Sequence, residues 1–538
     1  MPEQDSITEA HELAVRAHIA ARAFASATQE DVDRITAAMA RAGTAAAERL
    51  GVLAAEETGY GRASHKTFKN IFNTQWVYEG FKDERTVGVI SNDTERRVIT
   101  IAEPVGVIAG LVPVTNPTST VLFKALIAAK TRNSVVFAPH PRAVRSSGEA
   151  ARVMQEAAQE AGAPADLIQS MSRVSVAGTD ALMRHHRTDL VLATGSRAMV
   201  LAAYSSGKPT YAVGPGNVPA YIHASVRDID YAARCIMAAK IFDWGTACAS
   251  EQSAIVDRSV APALQAAMER NGALFLADAQ QNALTQLLFP QGGRGPSNVE
   301  AVSQSPATLA HLAGFAIPEN TQLLVVRPGG IGYDFPLSRE ILGPVFKFIE
   351  VDGPDQGIAT AVAQLHFGGD GHTAAVHAND EAVITRYAEA APAYRVLVNT
   401  PSLFGAMGYS TGVDRTFMIG TGTIGGSISS DNIGVRHLIN RKRVAAQIAE
   451  WEIPASGPDD LRVAAWALNR EPVAGPSTTG RPAVAVDPNP HSASSGPAAP
   501  PPSPSPAPAQ PAPPPPPPSG ASLEELVRQA IEAVMRDA

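Results

Sequence analysis

One of the two cysteines in this chain, Cys248, stands in a segment where a thiol can react. The segment is a polar loop of small residues between an apolar, helix-like run that ends at Phe242 and an alternating, strand-like run that begins at Gln252. Loops on a rigid scaffold often present side chains to a substrate. A thiol attacks as the thiolate, which requires surroundings that lower its pKa from about 8.5. The residue types alone leave two interpretations open, a nucleophile and a small buried side chain.

The other cysteine, Cys235, lies in the segment YAARCIMAAKI, whose apolar residues recur at helical spacing. We therefore expect Cys235 to pack in the core. Two cysteines in 538 residues provide neither a disulfide framework nor the spacing of zinc ligands. A reducing interior and a chemistry without a metal are the simplest expectations.

Two α/β patterns must position the reactive loop. From Pro104 to about Ala224, short apolar strands alternate with helices, and this predicts a parallel sheet with helices on its faces. The predicted strands are VGVIAGLV, SVVFA, VSVAG, DLVLA and TYAV. A second pattern of the same kind runs from about residue 225 to residue 425. Ligands of such sheets bind beyond the carboxyl ends of the strands, so residues that follow a strand are the first candidates for a site.

Segments at both ends differ from this pattern. Residues 86–102 predict a hairpin with Asn92 and Asp93 in its turn. At about Glu471 the composition changes, since residues 471–520 hold 19 of the 42 prolines and few large apolar side chains, which predicts a disordered or polyproline-like linker. Residues 521–538 then show a capping-box start and an apolar stripe, which predicts an amphipathic helix.

The loop FDWGTACASEQS resembles the catalytic-cysteine loop of the aldehyde dehydrogenase superfamily. Its string C-A-S-E-Q is similar to the CoA-acylating branch, including the aldehyde dehydrogenase half of bifunctional aldehyde-alcohol dehydrogenases. The resemblance covers about residues 5–450. It implies a Rossmann-like cofactor domain, an α/β catalytic domain, an oligomerisation hairpin and assembly into a homodimer or homotetramer.

The domain boundaries expected from this resemblance and from the composition are five. They are residues 1–224 for an NAD-binding domain that includes the hairpin, 225–425 for the catalytic domain, 426–470 for a C-terminal arm, 471–520 for the linker and 521–538 for the terminal helix.

The resemblance also assigns roles to residues that follow the strands. It implies that Asn116, in PVTNPTS, donates its amide to the oxyanion that forms at Cys248, although an Asn-Pro turn is the alternative. It implies that His372, in DGHTAAVH, assists proton transfer at the thiol or at CoA, with a satisfied core histidine as the alternative. The residues implied to bind NAD are Pro113, Thr115, His140, Thr194, Gly195, Ser196, Gly214 and Glu340.

Two of these positions leave alternatives open. Ser196 fits a phosphate contact at a helix N-terminus, but it also fits a plain N-cap. His140 stands where hydrolytic relatives carry a lysine on the adenosine ribose, so the preference between NAD and NADP stays open.

The strand TYAV ends at Val213 and is followed by Gly214, Pro215, Gly216 and Asn217. Hydrolytic aldehyde dehydrogenases carry the glutamate that activates water at the place that corresponds to Val213, Gly214 and Pro215. A thioester with no such base persists until another thiol takes the acyl group, which favours CoA as the acceptor. Glu251, three residues after Cys248, is the alternative base, but its place also fits a structural hydrogen bond at the start of a strand.

The predicted function is therefore oxidation of a short-chain aldehyde, with propionaldehyde or acetaldehyde favoured, to its acyl-CoA. The reaction reduces NAD, uses CoA as cosubstrate and passes through a thioester on Cys248. Hydrolysis to the free acid and a non-catalytic scaffold protein are the rival hypotheses.

The terminal helix of residues 521–538 resembles the encapsulation peptides that target enzymes to bacterial microcompartments. This implies a shell protein or a co-packaged enzyme as partner and a cytoplasmic location inside a microcompartment, with a self-association helix or a frayed tail as alternatives. A net charge of −8 and no long apolar run argue against nucleic acid and membrane partners.

Overall fold

The computed structural model describes residues 2–448. The predictions for the linker and the terminal helix, and for residues 449–470 of the arm, lie outside these residues. Within the described range the α-helices are α1 Pro2–Phe24, α2 Gln29–Ala45, α3 Ala47–Thr58, α4 Ala63–Ile71, α5 Tyr78–Phe81, α6 Pro117–Lys130, α7 Val144–Glu160, α8 Val176–Arg184, α9 Arg197–Tyr204, α10 Ile229–Ile241, α11 Ala261–Arg270, α12 Asp278–Leu288, α13 Pro306–Ala313, α14 Gly353–Gly368, α15 Glu381–Ala390 and α16 Ser402–Ala406.

The strands of the same range form three sheets. They are β1 Gly88–Asp93, β2 Val98–Pro104, β3 Val107–Val112, β4 Ser134–Pro139, β5 Ile168–Ser170, β6 Leu190–Thr194, β7 Thr210–Val213, β8 Val218–Ile222, β9 Glu251–Asp257, β10 Ala273–Phe275, β11 Leu323–Val326, β12 Val345–Val351, β13 Ala374–His377, β14 Val396–Val398 and β15 Ile439–Ala445.

The first α/β pattern forms a five-stranded parallel sheet in the order β5-β4-β3-β6-β7. Its central strand β3 is buried on both faces, as its unbroken apolar sequence predicts. Val107, Ala109 and Leu111 belong to the apolar cluster that contains α1 and α8, whereas Ile108 and Val112 belong to the cluster that contains α6 and α7. The predicted α/β fold with helices on both faces is therefore confirmed.

The second pattern forms a seven-stranded parallel sheet in the order β10-β11-β12-β9-β8-β13-β14. One strand of this sheet was not predicted. β8 pairs with β9 and β13, so residues 218–222 belong to the seven-stranded sheet and not to the five-stranded sheet. The domain boundary at residue 224 stays a prediction. Pro219 makes this strand difficult to predict from the sequence, because a proline inside an apolar run argues against a central strand.

Two further local predictions were wrong. The segment VSVAG is the start of α8, because the Ser175 hydroxyl caps the helix by accepting from the Gly178 N–H, and the strand of this region is β5. In the hairpin, Asn92 and Asp93 lie in β1, and the turn spans residues 94–97. The Asp93 carboxylate accepts from the Arg96 N–H at 2.9 Å, and so it closes the turn from the strand end.

A three-stranded sheet in the order β1-β2-β15 joins the hairpin to the chain that follows the second α/β pattern. Its outer strands β1 and β15 are largely exposed. Within residues 2–448, none of the helices combines the length and the apolar character that a membrane crossing requires.

Candidate active site

The loop that carries Cys248 is fixed at both ends. It leaves α10 through a tight 3₁₀ turn, Phe242–Gly245, and enters β9 at Glu251. Asp243 and Trp244 in this turn have positive φ values of 50° and 51°, an uncommon conformation for side chains other than glycine. The loop is therefore held in one shape by its surroundings, and Cys248 is presented at a defined point between the two elements.

The environment of the Cys248 sulfur favours the neutral thiol. Burial and the nearby carboxyl of Glu340 raise its pKa to about 12, against the opposing effect of the backbone N–H groups of Cys248 and Ala249 and of the Lys69 ammonium. Cys235, by contrast, is buried in α10, and burial raises its pKa to about 11. The core position predicted for Cys235 is thus confirmed, while Cys248 needs a base to become a nucleophile.

His372 lies next to the thiol. Its Nε2 is 3.2 Å from the Cys248 sulfur, and its Nδ1 is 3.0 Å from the Thr373 hydroxyl. The imidazole is fully buried, and burial, together with the charge of Arg395, lowers its pKa to about 3. A neutral imidazole has one lone-pair nitrogen, so His372 can accept the proton that the thiol must lose.

Asn116 lies between β3 and α6, at the carboxyl end of the five-stranded sheet, and its side chain does not cap the helix. Its Nδ2 is 3.0 Å from the Thr115 hydroxyl, and its Oδ1 accepts from the Lys69 ammonium at 2.6 Å. Asn116 and Cys248 line one small cavity of about 60 Å³. The other lining residues are mostly apolar and include Val213, Phe242, Ala247, Leu403, Met407, Phe417 and Ile419. The structure thus brings the predicted nucleophile and the predicted oxyanion donor together.

The loop that follows β7 lies against the cysteine loop. A Cβ atom on Gly216 would lie 2.5 Å from the Cys248 carbonyl oxygen and 3.2 Å from the His372 ring, so only glycine fits there. This loop carries no carboxylate, since its residues are Gly214, Pro215 and Gly216. The backbone of this loop therefore lies against the backbone of Cys248, and residues 214–216 bring no acid to it.

Glu251 makes the structural hydrogen bond considered from the sequence. It is fully buried, and its Oε1 accepts from the Ser402 N–H at 2.7 Å. Burial raises its pKa to about 7, against the effect of the Ser402 hydrogen bond. A carboxyl fixed in this way joins β9 to the start of α16.

The residues predicted to bind the cofactor lie beyond the carboxyl ends of one sheet. Pro113 and Thr115 follow β3, His140 follows β4, Thr194 ends β6, Gly195 and Ser196 lead into α9, and Gly214 follows β7. The Ser196 hydroxyl accepts from the Met199 N–H at 3.4 Å and so acts as an N-cap, while the buried Thr194 hydroxyl has no hydrogen-bond partner among the described residues.

Glu340 lies in a larger cavity of about 320 Å³, which Arg197, Pro215 and Asn217 also line. Its Oε1 accepts from the Gly216 N–H at 3.1 Å, and burial raises its pKa to about 7. A cavity with an acceptor at one side and an arginine at the first residue of α9 fits a nucleotide whose ribose needs an acceptor and whose phosphates need positive charge.

Buried lysines hold the segment that carries Glu340, and the sequence analysis did not find them. Lys347 donates to the Ser338 carbonyl at 3.3 Å, and Lys240 donates to the Ile341 carbonyl at 2.9 Å. Burial lowers the pKa of Lys240 to about 7 and that of Lys347 well below its usual range. These contacts fix the backbone on both sides of Glu340.

A second group of charged residues that the sequence analysis missed lies under the cysteine loop. Lys66 and Lys69 of α4 both contact the Asp243 carboxylate. Their signal in the sequence is weak, since it consists of two lysines three positions apart beside Phe68 and Phe72. Arg395 was also missed. It is buried and donates to the carbonyl groups of residues 371, 372, 420 and 430, around His372 and the glycine-rich segment of residues 420–426.

Known proteins are similar to this chain in sequence and in structure. The profile of the Aldehyde dehydrogenase family matches residues 3–280. The bifunctional aldehyde-alcohol dehydrogenase AdhE of Escherichia coli (strain K12) is 39% identical over 445 residues, which cover 82% of this chain and 50% of that protein. The chain therefore spans about half the length of this curated relative.

Two solved structures are similar as well. An acetylating aldehyde dehydrogenase from Geobacillus thermoglucosidasius is 44% identical, with a TM-score of 0.82 over 84% of this chain and 99% of the other. A propionaldehyde dehydrogenase from the Clostridium phytofermentans fucose utilisation bacterial microcompartment is 26% identical, with a TM-score of 0.72 over 80% of this chain and 95% of the other.

Proposed function

This chain belongs to the aldehyde dehydrogenase family, and on that premise we propose that it oxidises a short-chain aldehyde to its acyl-CoA, with NAD as the oxidant. The observation that carries the proposal is the pairing of Cys248 with His372 at 3.2 Å beside a Gly214–Gly216 loop that holds no carboxylate. The pairing supports a thioester on Cys248, and the loop supports its transfer to a thiol in preference to water.

In the acylation half, the Cys248 sulfur adds to the carbonyl carbon of the aldehyde while the thiol proton passes to His372. The former carbonyl oxygen becomes an oxyanion. Asn116 and a backbone N–H of the cysteine loop donate to this oxyanion, and such a donor is typically worth about 10²–10³ in rate. His372 can hold the proton during this step, because its ring is neutral beforehand and lies 3.2 Å from the sulfur.

NAD fits the edge of the five-stranded sheet at which the carboxyl ends of its strands lie. Ser196 and the N-terminus of α9 would hold the phosphates, and Glu340 would hold the nicotinamide ribose. When bound, NAD supplies the hydride acceptor that converts the addition product into the thioester. The buried lysines beside Glu340 keep its carboxyl in place, so the chain provides a rigid acceptor for that ribose.

The second half transfers the acyl group to CoA. The loop of residues 214–216 beside this thioester has no carboxylate of its own to activate water, and the nearby Glu340 carboxyl is engaged with the Gly216 N–H. His372 first releases to solvent the proton that it took from Cys248. The CoA thiol then gives its proton to His372, the CoA sulfur attacks the acyl carbon, and the bond from that carbon to the Cys248 sulfur breaks. The departing Cys248 thiolate takes the proton back from His372. The products are acyl-CoA and the regenerated cysteine.

The cavity at Cys248 supports a short, uncharged aldehyde. A water-sized group needs about 10–15 Å³ of such volume, so about 60 Å³ has room for about four to six heavy atoms. Acetaldehyde and propionaldehyde fit within this volume. The lining, with Leu403, Met407 and Phe417, is mostly apolar. It offers no free positive charge to an anionic substituent on the substrate, because all three hydrogens of the Lys69 ammonium already have acceptors.

We also propose that residues 521–538 attach the enzyme to a microcompartment shell protein or to a co-packaged enzyme, and that the catalytic part assembles into homodimers or homotetramers. The apolar stripe of the tail supports the first proposal, as does a similar structure that comes from a bacterial microcompartment. The exposed outer strands β1 and β15 support the second.

The experiment that tests the function is an NADH absorbance assay with and without CoA. Acetaldehyde, propionaldehyde and succinate semialdehyde are compared, with acyl-CoA and free acid measured by chromatography. We expect acyl-CoA from the two short aldehydes and slow reaction of the charged one. Rapid release of free acid in the presence of CoA would identify a hydrolytic enzyme. If no aldehyde yields NADH, the non-catalytic scaffold protein is the hypothesis that is left.

A further inference from the structure

The inward face of α4 carries more positive than negative charge. Lys66 and Lys69 are three residues apart and therefore lie on the same face of the helix, and each is 2% exposed. Both ammonium groups contact Oδ2 of Asp243, at 3.1 and 2.5 Å. Among the described residues, Asp243 is the only carboxylate that pairs with either of them. Burying a charge that is not fully compensated is costly, so stability alone does not explain the second lysine.

The contacts of Lys69 exclude a direct role with the substrate. Its Nζ donates to Oδ1 of Asn116 at 2.6 Å, to Oδ2 of Asp243 at 2.5 Å and to the Thr246 hydroxyl at 2.8 Å. An ammonium group has three hydrogens, and all three have acceptors. Burial lowers the pKa of Lys69 to about 8, with Asp243 opposing this effect, so the side chain is cationic at neutral pH. Any effect of Lys69 on the reaction must therefore pass through one of its three partners.

One of these partners is the predicted oxyanion donor. An ammonium group can only donate, so the Asn116 atom that faces it must be the oxygen. Of the two Nδ2 hydrogens, one goes to the Thr115 hydroxyl at 3.0 Å, and the other is left for a ligand in the cavity that Asn116 and Cys248 both line. The two ends of an amide have nearly the same shape. Without Lys69, the amide could turn its oxygen to the cavity, and there this oxygen would repel an oxyanion.

Lys69 also ties together the two loops that must meet. Asn116 lies in the loop after β3, while Asp243 and Thr246 lie in the turn before Cys248. The same turn is anchored to α4, because the Arg62 N–H donates to Asp243 Oδ1 at 2.7 Å. A single ammonium group therefore sets both the orientation of Asn116 and its placement relative to the cysteine loop.

From these contacts we infer that Lys69 is a positioning residue. It holds the Asn116 amide with an N–H toward the oxyanion that forms at Cys248, an inference that rests on the proposed function. Thr246 and Asp243 complete its shell and keep the ammonium centred. Lys66, which donates to the Thr115 carbonyl at 3.0 Å and not to Asn116, does not share this role.

The test compares Lys69→Met with Lys66→Met. Both variants remove a lysine of the same helix, with the same burial and the same Asp243 partner. We expect Lys69→Met to lower the rate of the single-turnover NADH burst by about 10²-fold, the effect of losing an oxyanion donor. The dissociation constant of NAD should change little. Lys66→Met should lower the melting temperature as much but leave most of the burst rate.

A double-mutant cycle with Asn116→Ala separates positioning from general damage. If Lys69 acts through Asn116, Lys69→Met should cost little more once the amide is gone, because coupled residues are not additive. A full additional loss in the double variant, or a Lys69→Met enzyme that folds and keeps the wild-type burst, would overturn the inference.

A variant that leaves Lys69 in place covers the case in which Lys69→Met does not fold. Asn116→Asp puts a carboxylate against the ammonium, so we expect a melting temperature equal to or above that of the wild type together with loss of the burst. A large drop in melting temperature would show that Lys69 does not hold this group. A wild type that forms no NADH would overturn the proposed function, while this melting temperature would still test the contact.

Discussion

Nε2 of His372 lies 3.2 Å from the sulfur of Cys248, although 124 positions separate the two residues in the chain. The contact joins the loop before β9 to the residue before β13, and the two strands flank β8 in one sheet. Burial moves the two pKa values apart, to about 12 for the thiol and about 3 for the imidazole. The pair is therefore neutral in the free enzyme, and the proton moves only when the aldehyde is attacked.

Removal of His372 should stop both thiol steps. We expect His372→Ala to lower kcat by about 10²–10⁴-fold, the usual contribution of a general base, with the affinity for NAD retained. His377→Ala is the matched control, because His377 is a buried histidine at the other end of the same strand and burial lowers its pKa to about 4. It should lower stability but keep most of the activity. Equal losses in the two variants would show that His372 acts only as a core residue.

The reactivity of Cys248 should depend steeply on pH. Since its pKa is raised to about 12, the thiolate fraction, and with it the rate of iodoacetamide inactivation of the free enzyme, should rise about tenfold per pH unit between pH 6 and 9. Mass spectrometry should place the label on Cys248, while Cys235→Ala should inactivate at the wild-type rate. Cys248→Ala should form no acyl-CoA yet still bind NAD. A rate that does not change over this range would indicate a thiolate stabilised in the resting enzyme.

Omission of CoA should stop the enzyme after one turnover. With aldehyde and NAD alone, we expect a burst of NADH equal to the concentration of active sites and then slow turnover, because no carboxylate lies in the loop of residues 214–216 to activate water. Glu251→Gln should not change the slow phase, since Glu251 is engaged with Ser402. Steady formation of acid that disappears in Glu251→Gln would instead identify this carboxyl as the base.

The sequence pattern was sufficient for the two parallel sheets and for the meeting of Cys248, Asn116 and His372, because strand ends and family motifs carry this information locally. It was insufficient for β8, where Pro219 masks a buried strand, and for the α8 start, where a capping serine outweighs a short apolar run. Lys69 and Arg395 were missed for a different reason. A lysine or an arginine in a mixed segment usually lies in solvent, and only the tertiary structure shows that these two are buried beside the site.

The buried carboxyl of Glu251 should make stability depend on pH. Its folded-state pKa of about 7 lies above the ordinary value of 4.5, so the folded state keeps a proton that the unfolded chain loses. Its contribution therefore decreases as the pH rises from about 4.5 to about 7, by about 3 kcal/mol at most. Glu251→Gln lacks this loss, so its melting temperature relative to wild type should be higher at pH 8 than at pH 5. The exposed Glu160→Gln should show no such difference, and parallel curves for Glu251→Gln and wild type would contradict the prediction.

The tail prediction concerns residues 521–538, which lie outside the described part of the chain, and it depends on the sequence alone. Three features support it: a proline-rich tether, a capped start at Ser522 and an apolar stripe that includes Leu526 and Ile531. A short helix with such a stripe is marginal in water and suits a groove on a partner.

Deletion of residues 521–538 should leave kcat and the oligomeric state unchanged but abolish co-localisation with a shell protein. Fusion of the tether and tail to a fluorescent protein should suffice for recruitment. Leu526→Glu with Ile531→Glu should prevent recruitment, because burying an unpaired charge is costly, whereas Arg528→Glu on the polar face should have a much smaller effect. Packaging of the truncated enzyme, or loss of its activity, would show that the tail belongs to the catalytic part.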